Sequence, residues 1–425
     1  MRVLTVSEQC STRLENDYIE LLQGAEHCGR WMPGRSEEDA FCFSIDGKQD
    51  SYSVQSSYFV GVDWVNSDLA IQVLPKVKTG AASIDYLKML VEALQEPENS
   101  RNLDGLIMVD FFAKPIKLEQ KEDILSPFII AQFVMTLKNA ARKGLRKSYY
   151  MVTENLHSKV KGKILVEQNI RQNISRRNIV DNVCRHQEYG VNNEENKILK
   201  KALGMASKIL SSYHGQMKID ELKRTIAGLK PFFREVGDDY DIENVNAYNA
   251  NPIFKDYYSA LKYAILIIKR CSYGVGKNAD KLETTPPYWI DMSKLFELYV
   301  LKRLREVYSA GEIAYQKNIS GRYPDYLLRP NDESEPYVID AKYKLAYNDG
   351  YQIDDVRQVS AYARMKGVYK HLGVEDRSKL LRCLIVYPSL TAQDHFIGRF
   401  DTGMLEASTT YEELYKIGIN LPLQQ

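Results

Sequence analysis

Asp340-Ala341-Lys342 follows the apolar run Tyr337-Val338-Ile339. A strand repeats every two residues, so Asp340 and Lys342 project from one face. Upstream stands Asp325, preceded by Pro324, in the only Pro-Asp pair of the chain. The polar loop between Asn331 and Pro336 is short enough for a hairpin, which brings Asp325 alongside the second strand. Proline lacks a ladder donor and fixes the backbone, which suits a bend or a strand edge. Two carboxylates and an ammonium then converge at one end of a sheet. That set suits phosphodiester hydrolysis: two hard carboxylates can hold Mg²⁺ with waters completing the octahedron. The ion polarises a phosphoryl oxygen and lowers the pKa of water, and a lysine neutralises the developing charge.

An acid and a lysine separated by one residue is a weak signal by itself. It recurs at Asp46-Gly47-Lys48, Glu119-Gln120-Lys121, Glu195-Asn196-Lys197 and Glu221-Leu222-Lys223. Only Asp340 combines a preceding apolar strand with an upstream Pro-Asp; the bland alternative is a salt bridge on a strand surface. The elements around it are those of an α/β unit. An amphipathic helix is expected over Met292 to Val307, strands over Tyr323 to Leu328 and Tyr337 to Ile339, a helix from Asp354 to Lys366, and a buried strand from Leu381 to Tyr387.

At 425 residues the chain exceeds one core, and roughly 150 residues per domain implies two or three. The pattern divides it into a β-rich region over 1–105, a mainly helical region over 106–280 and a C-terminal α/β region over 281–425. In the first, Tyr58 to Val65 and Leu69 to Pro75 read as strands joined through Asn66-Ser67-Asp68, and a helix runs from Ile84 to Leu94 into the breaker Pro97-Glu98-Asn99-Ser100, a candidate linker. In the second, helices are expected over Phe128 to Leu145, Asn193 to Leu210 and Phe254 to Ile268, with a strand over Gly162 to Val166. Gly274-Val275-Gly276-Lys277 lacks the spacing and the Ser or Thr of a phosphate-binding loop and reads as a plain turn.

Six scattered cysteines with no CxxC pair argue against a disulfide framework or a zinc cluster and fit a reducing cytoplasm. Met1-Arg2-Val3-Leu4-Thr5 does not open a signal peptide, and no apolar run is long enough to span a bilayer. Lys and Arg total 57 against 56 Asp and Glu, so the overall charge gives no sign of a nucleic-acid binder. Two local runs are basic: Lys138 to Lys147, with no acid, and Arg171 to Arg185, with Asp181 alone. A solvated helix face and a DNA-tracking surface are equal readings of both.

The C-terminal region resembles the McrC family, the nuclease subunits of McrBC-type modification-dependent restriction systems, within the PD-(D/E)XK nuclease superfamily. The stretches that carry the resemblance run from Asp291-Met292-Ser293-Lys294-Leu295-Phe296-Glu297-Leu298-Tyr299-Val300 through Arg322-Tyr323-Pro324-Asp325 and Val338-Ile339-Asp340-Ala341-Lys342-Tyr343-Lys344. They continue in Asp355-Val356-Arg357-Gln358-Val359-Ser360-Ala361-Tyr362-Ala363 and Leu384-Ile385-Val386-Tyr387-Pro388. Similarity is moderate around Glu154-Asn155-Leu156-His157, Gly162-Lys163-Ile164 and Asn193 to Lys200, and faint in the first hundred residues.

The resemblance implies a mixed α+β chain ending in a PD-(D/E)XK fold with a central mixed sheet. It makes Asp325 and Asp340 ligands of Mg²⁺ and Lys342 the catalytic lysine. Glu297 matches a helical acid that often reaches the metal or its water, although alone it reads as a solvated helix residue. Gln358 matches a position that contacts the scissile phosphate or orients Lys342, with Tyr362 one turn on as core. It also implies a partner, a McrB-like AAA+ GTPase or ATPase that directs cleavage of DNA, with the β-rich N-terminal region as its binding part. The leading expectation is therefore a DNA endonuclease subunit; the alternative is a non-cleaving regulator that binds DNA and stimulates the partner's NTPase. A nuclease acting alone is disfavoured for want of a basic DNA-binding module.

Overall fold

The computed structural model describes residues 2–14, 18, 21–22, 27–31, 41–48, 51–75, 84–94, 96, 98–99, 102–103, 105–110, 113–118, 125–212, 220–240, 254–274, 283–344, 350–389, 398–400 and 403–423. The expected turn over residues 275–277 lies outside them. The protein is a mixed α/β chain that divides into two compact units, 1–122 with 280–425, and 123–279. Three successive regions were expected. The difference arises at the strand Tyr288–Asp291, which pairs antiparallel with Phe59–Trp64 on one side and Ile107–Val109 on the other. The C-terminal part thus begins inside the N-terminal sheet.

That five-stranded sheet runs in the order 2–7, 69–74, 59–64, 288–291, 107–109. The hairpin expected through Asn66-Ser67-Asp68 is present, with the Asn66 side-chain oxygen accepting from the Asp68 and Leu69 amides. Gly61 is required by the pairing: a Cβ there would lie 2.0 Å from the Tyr288 carbonyl. Trp289 is fully buried among Leu4, Phe43, Ile45, Phe59 and Ile71, and its indole N–H donates to Asp63 at 3.0 Å. A second sheet, in the order 11–13, 51–56, 41–48, 27–31, contributes to the same core. Of the expected linker over 97–100, residues 97 and 100 lie outside the described residues. Asn99 is wholly buried and donates to the Ala93 and Leu298 carbonyls, tying the end of the Tyr86–Ala93 helix to the Met292–Val307 helix.

Met292–Val307 follows Tyr288–Asp291 directly, capped by Asp291, whose carboxylate accepts from the Lys294 amide. Its buried side includes Leu295, Phe296, Leu298, Tyr299 and Leu301. A six-stranded mixed sheet follows in the order 313–315, 326–328, 337–341, 382–389, 414–420, 406–407. Tyr326–Leu328 runs antiparallel to Tyr337–Ala341, which runs parallel to Arg382–Ser389, itself parallel to Leu414–Asn420. A parallel step needs a crossover, here built from the helices Ile353–Ala363 and Lys366–Leu372, where one longer helix was expected. Val356, Val359, Val368 and Leu372 pack with Leu327, Val338 and Ile385.

Residues 123–279 are helical over Leu125–Arg142, Glu194–Ser212, Asp220–Leu229 and Lys255–Gly274, close to the expected spans where expected. They also hold two long antiparallel strands, Ser148–His157 and Asp181–Gly190, which the sequence pattern did not indicate. The expected strand over 162–166 is the two-residue Lys163–Ile164, followed by the short helix Val166–Gln172. Among the described residues no helix is long and apolar enough to cross a membrane.

Candidate active site

The hairpin partner of Asp340 is set by register. Tyr326 pairs with Ile339, so Asp325, one residue earlier, stands beside the end of the second strand. Its Oδ2 accepts from the Ala341 amide at 2.8 Å. Asp340 is fully buried within the strand. Lys342 sits just past it, its amide donating to the Val386 carbonyl and its Nζ 2.8 Å from Asp340 Oδ2. The same Nζ donates to Gln358 Oε1 at 2.7 Å, and Gln358 Nε2 donates to the Tyr362 hydroxyl at 3.3 Å. Gln358 therefore fixes where the ammonium points, from the middle of the Ile353–Ala363 helix.

Glu297 lies on the Met292–Val307 helix, and its charge acts on Asp325. Its Oε2 accepts from the Tyr315 hydroxyl at 3.3 Å and from Gln316 Nε2 at 2.9 Å, and the Gln316 amide donates to the Asp325 carbonyl. Several contributors were given no role by the sequence. Lys344 Nζ binds both oxygens of the buried Asp355 at 2.9 Å, so a second ion pair flanks the first. Behind the motif, the buried Glu8 accepts from the Tyr343 and Tyr86 hydroxyls, and Gln9 Nε2 donates to the Tyr343 carbonyl. Glu8 and Tyr343 are 335 residues apart, and no local pattern joins them.

Burial raises the Asp325 carboxyl well above the ordinary carboxylate range, and the neighbouring Asp340 and Glu297 charges add to it. The Lys342 ammonium and the Ala341 amide only partly offset this. Asp340 is also raised, again by burial first, against the pull of Lys342. Burial works against the charge on Lys342, but the Asp340 and Asp325 carboxylates outweigh it and its pKa is raised. The ammonium is a fixed cation here, not a base. Among the described residues, the buried Asp340 Oδ1 has no hydrogen-bond partner, and Oδ2 is paired with Lys342.

A divalent cation fits this set. It would take the orphaned oxygen and relieve the repulsion between two crowded carboxylates. Among the described residues no group of three or more His, Cys, Asp or Glu is set to hold a metal.

A family model described as McrBC 5-methylcytosine restriction system component matches residues 54–374. Among solved structures, the chain is similar to one from a tetradecameric assembly of Thermococcus gammatolerans McrB AAA+ hexamers with bound McrC, at 16% identity, TM-score 0.41, covering 99% of this chain and 94% of that one. A second, from the Thermococcus gammatolerans McrBC complex, matches at 16% identity and TM-score 0.29, over 71% of this chain and 87% of that one. No curated protein matches the chain. The family match spans most of the sequence and both sides of the Asp325, Asp340 and Lys342 cluster, and the chain belongs to the McrBC restriction system component family.

Proposed function

We propose that this chain is the DNA-cutting subunit of a McrBC-like system, a cytoplasmic hydrolase that breaks phosphodiester bonds with Mg²⁺ under the direction of an AAA+ NTPase partner. The observation that carries the reading is the buried Asp340, its Oδ1 without a partner among the described residues, beside Asp325 and Lys342. The mixed sheet with an amphipathic helix ahead of it, and the hairpin that delivers both aspartates, support a PD-(D/E)XK fold.

Asp325 and Asp340 would hold the metal. A bound Mg²⁺ supplies Lewis-acid polarisation of the phosphoryl oxygen and lowers the pKa of water. Lys342, charged at neutral pH, stabilises the negative charge that grows on the phosphorus centre. Gln358 keeps the ammonium aimed, and Asp355 pairs with Lys344 beside it. Glu297, tied to Tyr315 and Gln316, holds the hairpin edge that carries Asp325. The free thiols of Cys10, Cys28, Cys42, Cys184 and Cys383 fit a reducing compartment.

The partner reading draws support from residues 148–190. Tyr149 is 72% exposed, Ile179 83% and Tyr189 63%, with Met151, Val160, Val166, Ile170 and Ile174 also exposed. Such a concentration of apolar surface marks a protein-binding region. Of the β-rich N-terminal region, expected to bind the motor, the strand Phe59–Trp64 pairs with Tyr288–Asp291.

Cleavage of DNA with Mg²⁺ and the co-expressed AAA+ partner, comparing the native chain with Asp340→Ala, tests the reading. Loss of cleavage in the variant with NTPase stimulation retained supports it. If native chain and variant both stimulate the partner and neither cuts, the chain is a non-cleaving regulator.

A further inference from the structure

The overall charge of +1 conceals a segregation. Residues 123–279 carry 26 Lys and Arg against 15 Asp and Glu, a formal +11, while 1–122 with 280–425 carry 31 against 41, a formal −10. The chemistry proposed above sits in the acidic unit, which repels a polyanion; the basic unit attracts one. The neutral total in which no basic module was expected thus contains one strongly basic unit whose charge is cancelled by the other.

Much of that positive charge is committed internally. Arg146 pairs with Glu195 and lies over the Tyr258 ring, and Lys143 pairs with Asp256, so part of the basic run 138–147 serves packing. A different group of lysines faces a cleft of about 390 Å³ between the helix Glu194–Ser212 and the turn Lys230–Phe233. Lys201, Lys208 and Lys230 line it, and none of them has a carboxylate partner among the described residues. Its single acid, Asp238, is taken by Lys200 at 2.9 Å. Leu203, Met205 and Phe233 give it an apolar floor.

Gly204 adds an independent observation. It sits inside a 19-residue helix, where glycine is disfavoured, yet a Cβ there would meet nothing within 4 Å. Neither packing nor a special backbone angle requires a glycine. Its effect is to keep the cleft wall open between Lys201 and Lys208, one turn to either side.

We propose that residues 123–279 form the DNA-binding unit of this chain and that the cleft around Lys201, Lys208 and Lys230 seats a backbone phosphate of DNA. Ammonium groups without carboxylate partners among the described residues, Lys201 lying over the Tyr240 ring, and an apolar floor suit a phosphate with its sugar, and no base-reading geometry is implied. The inference rests on the proposed DNA-cutting reading for its place in the reaction, but binding can be measured without cleavage.

The experiment is fluorescence anisotropy of a fluorescein-labelled duplex with the full chain in EDTA, across a series of salt concentrations. Lys201→Ala/Lys208→Ala/Lys230→Ala is expected to weaken binding about tenfold or more and to flatten the salt dependence by up to about three phosphate contacts. Gly204→Leu, which fills the cleft without changing charge and favours the helix, is expected to weaken binding as well. A native affinity unchanged in both variants overturns the proposal. A triple variant that binds weakly beside a silent Gly204→Leu overturns the cleft and leaves only a diffuse field. A mononucleotide that displaces the duplex at low concentration makes the cleft a free-nucleotide site and likewise overturns it. Cleavage takes no part in these measurements, so an inactive chain would refute the nuclease reading alone.

Discussion

At the scale of single residues, the proposed metal-binding aspartates oppose the fold that holds them. Asp325 and Asp340 bind protons more tightly in the folded chain than in the unfolded one, because burial and mutual repulsion disfavour their charged forms. A raised carboxyl stabilises the folded state below the unfolded value, near pH 4. That contribution is lost as pH rises through the raised values, so at neutral pH without metal the charged pair is destabilising. Asp325→Asn keeps an oxygen for the Ala341 amide and removes one charge. In EDTA at neutral pH its Tm should exceed that of the native chain by a few degrees, with the gap closing toward pH 4. Added Mg²⁺ should raise the native Tm and leave the variant nearly unmoved, while cleavage falls by about 10² or more. A native chain that is the more stable at neutral pH in EDTA would refute this electrostatic picture. The positions of Asp325, Asp340 and Lys342 were legible in the sequence because each follows from local rules: a two-residue repeat, a short hairpin loop and a Pro-Asp bend. The partners of Glu297 were not, since Tyr315 and Gln316 reach it from a different element.

At the scale of elements, the segment after the proposed catalytic lysine is clamped by a turn from the start of the chain. Glu8 is 1% exposed and accepts from both Tyr343 and Tyr86, and Gln9 grips the Tyr343 carbonyl. Gln9 does so with φ of 52°, in a region that costs a non-glycine residue about 1–2 kcal/mol. Glu8→Ala leaves two buried hydroxyls without their acceptor and should cost about 1–3 kcal/mol in chemical denaturation. Because Tyr343 adjoins Lys342, cleavage should fall under conditions where the variant remains folded, with duplex affinity in EDTA unchanged. Equal losses of cleavage and DNA affinity would instead mean general unfolding. Helices with a clear apolar stripe, such as Met292–Val307, were readable to the residue. Ser148–His157 and Asp181–Gly190 were not, because their Tyr149, Met151 and Tyr189 point into solvent and mimic neither a core strand nor a loop. The Tyr288–Asp291 strand was missed for another reason: its partners come from distant parts of the chain, Phe59–Trp64 and Ile107–Val109.

At the scale of the molecule, a neutral total charge and an ordinary hydrophobic content of 44% both hide an uneven distribution. Summation over the sequence cancels one unit's charge against the other's, and only the division at 123–279 separates them. Apolar surface is uneven in the same way, concentrated on residues 148–190. Tyr149 and Tyr189 pair across their strands with ring centroids 5.1 Å apart, an arrangement that makes a rigid aromatic platform on an exposed sheet. A lone exposed tyrosine needs no explanation, but a paired platform on a two-stranded ribbon whose other end exposes Ile179 and Val180 does. If an AAA+ partner seats there, Ile179→Asp with Tyr189→Ser should leave the Tm of the isolated chain almost unchanged, since both side chains are exposed. The variant should lose tenfold or more in affinity for the partner, because exposed aromatic and aliphatic anchors dominate such interfaces. Stimulation of NTPase turnover should fall in step, while duplex affinity in EDTA, assigned to the lysine cleft, stays at the native value. A variant that still binds and stimulates its partner at native levels would move the docking surface away from residues 148–190.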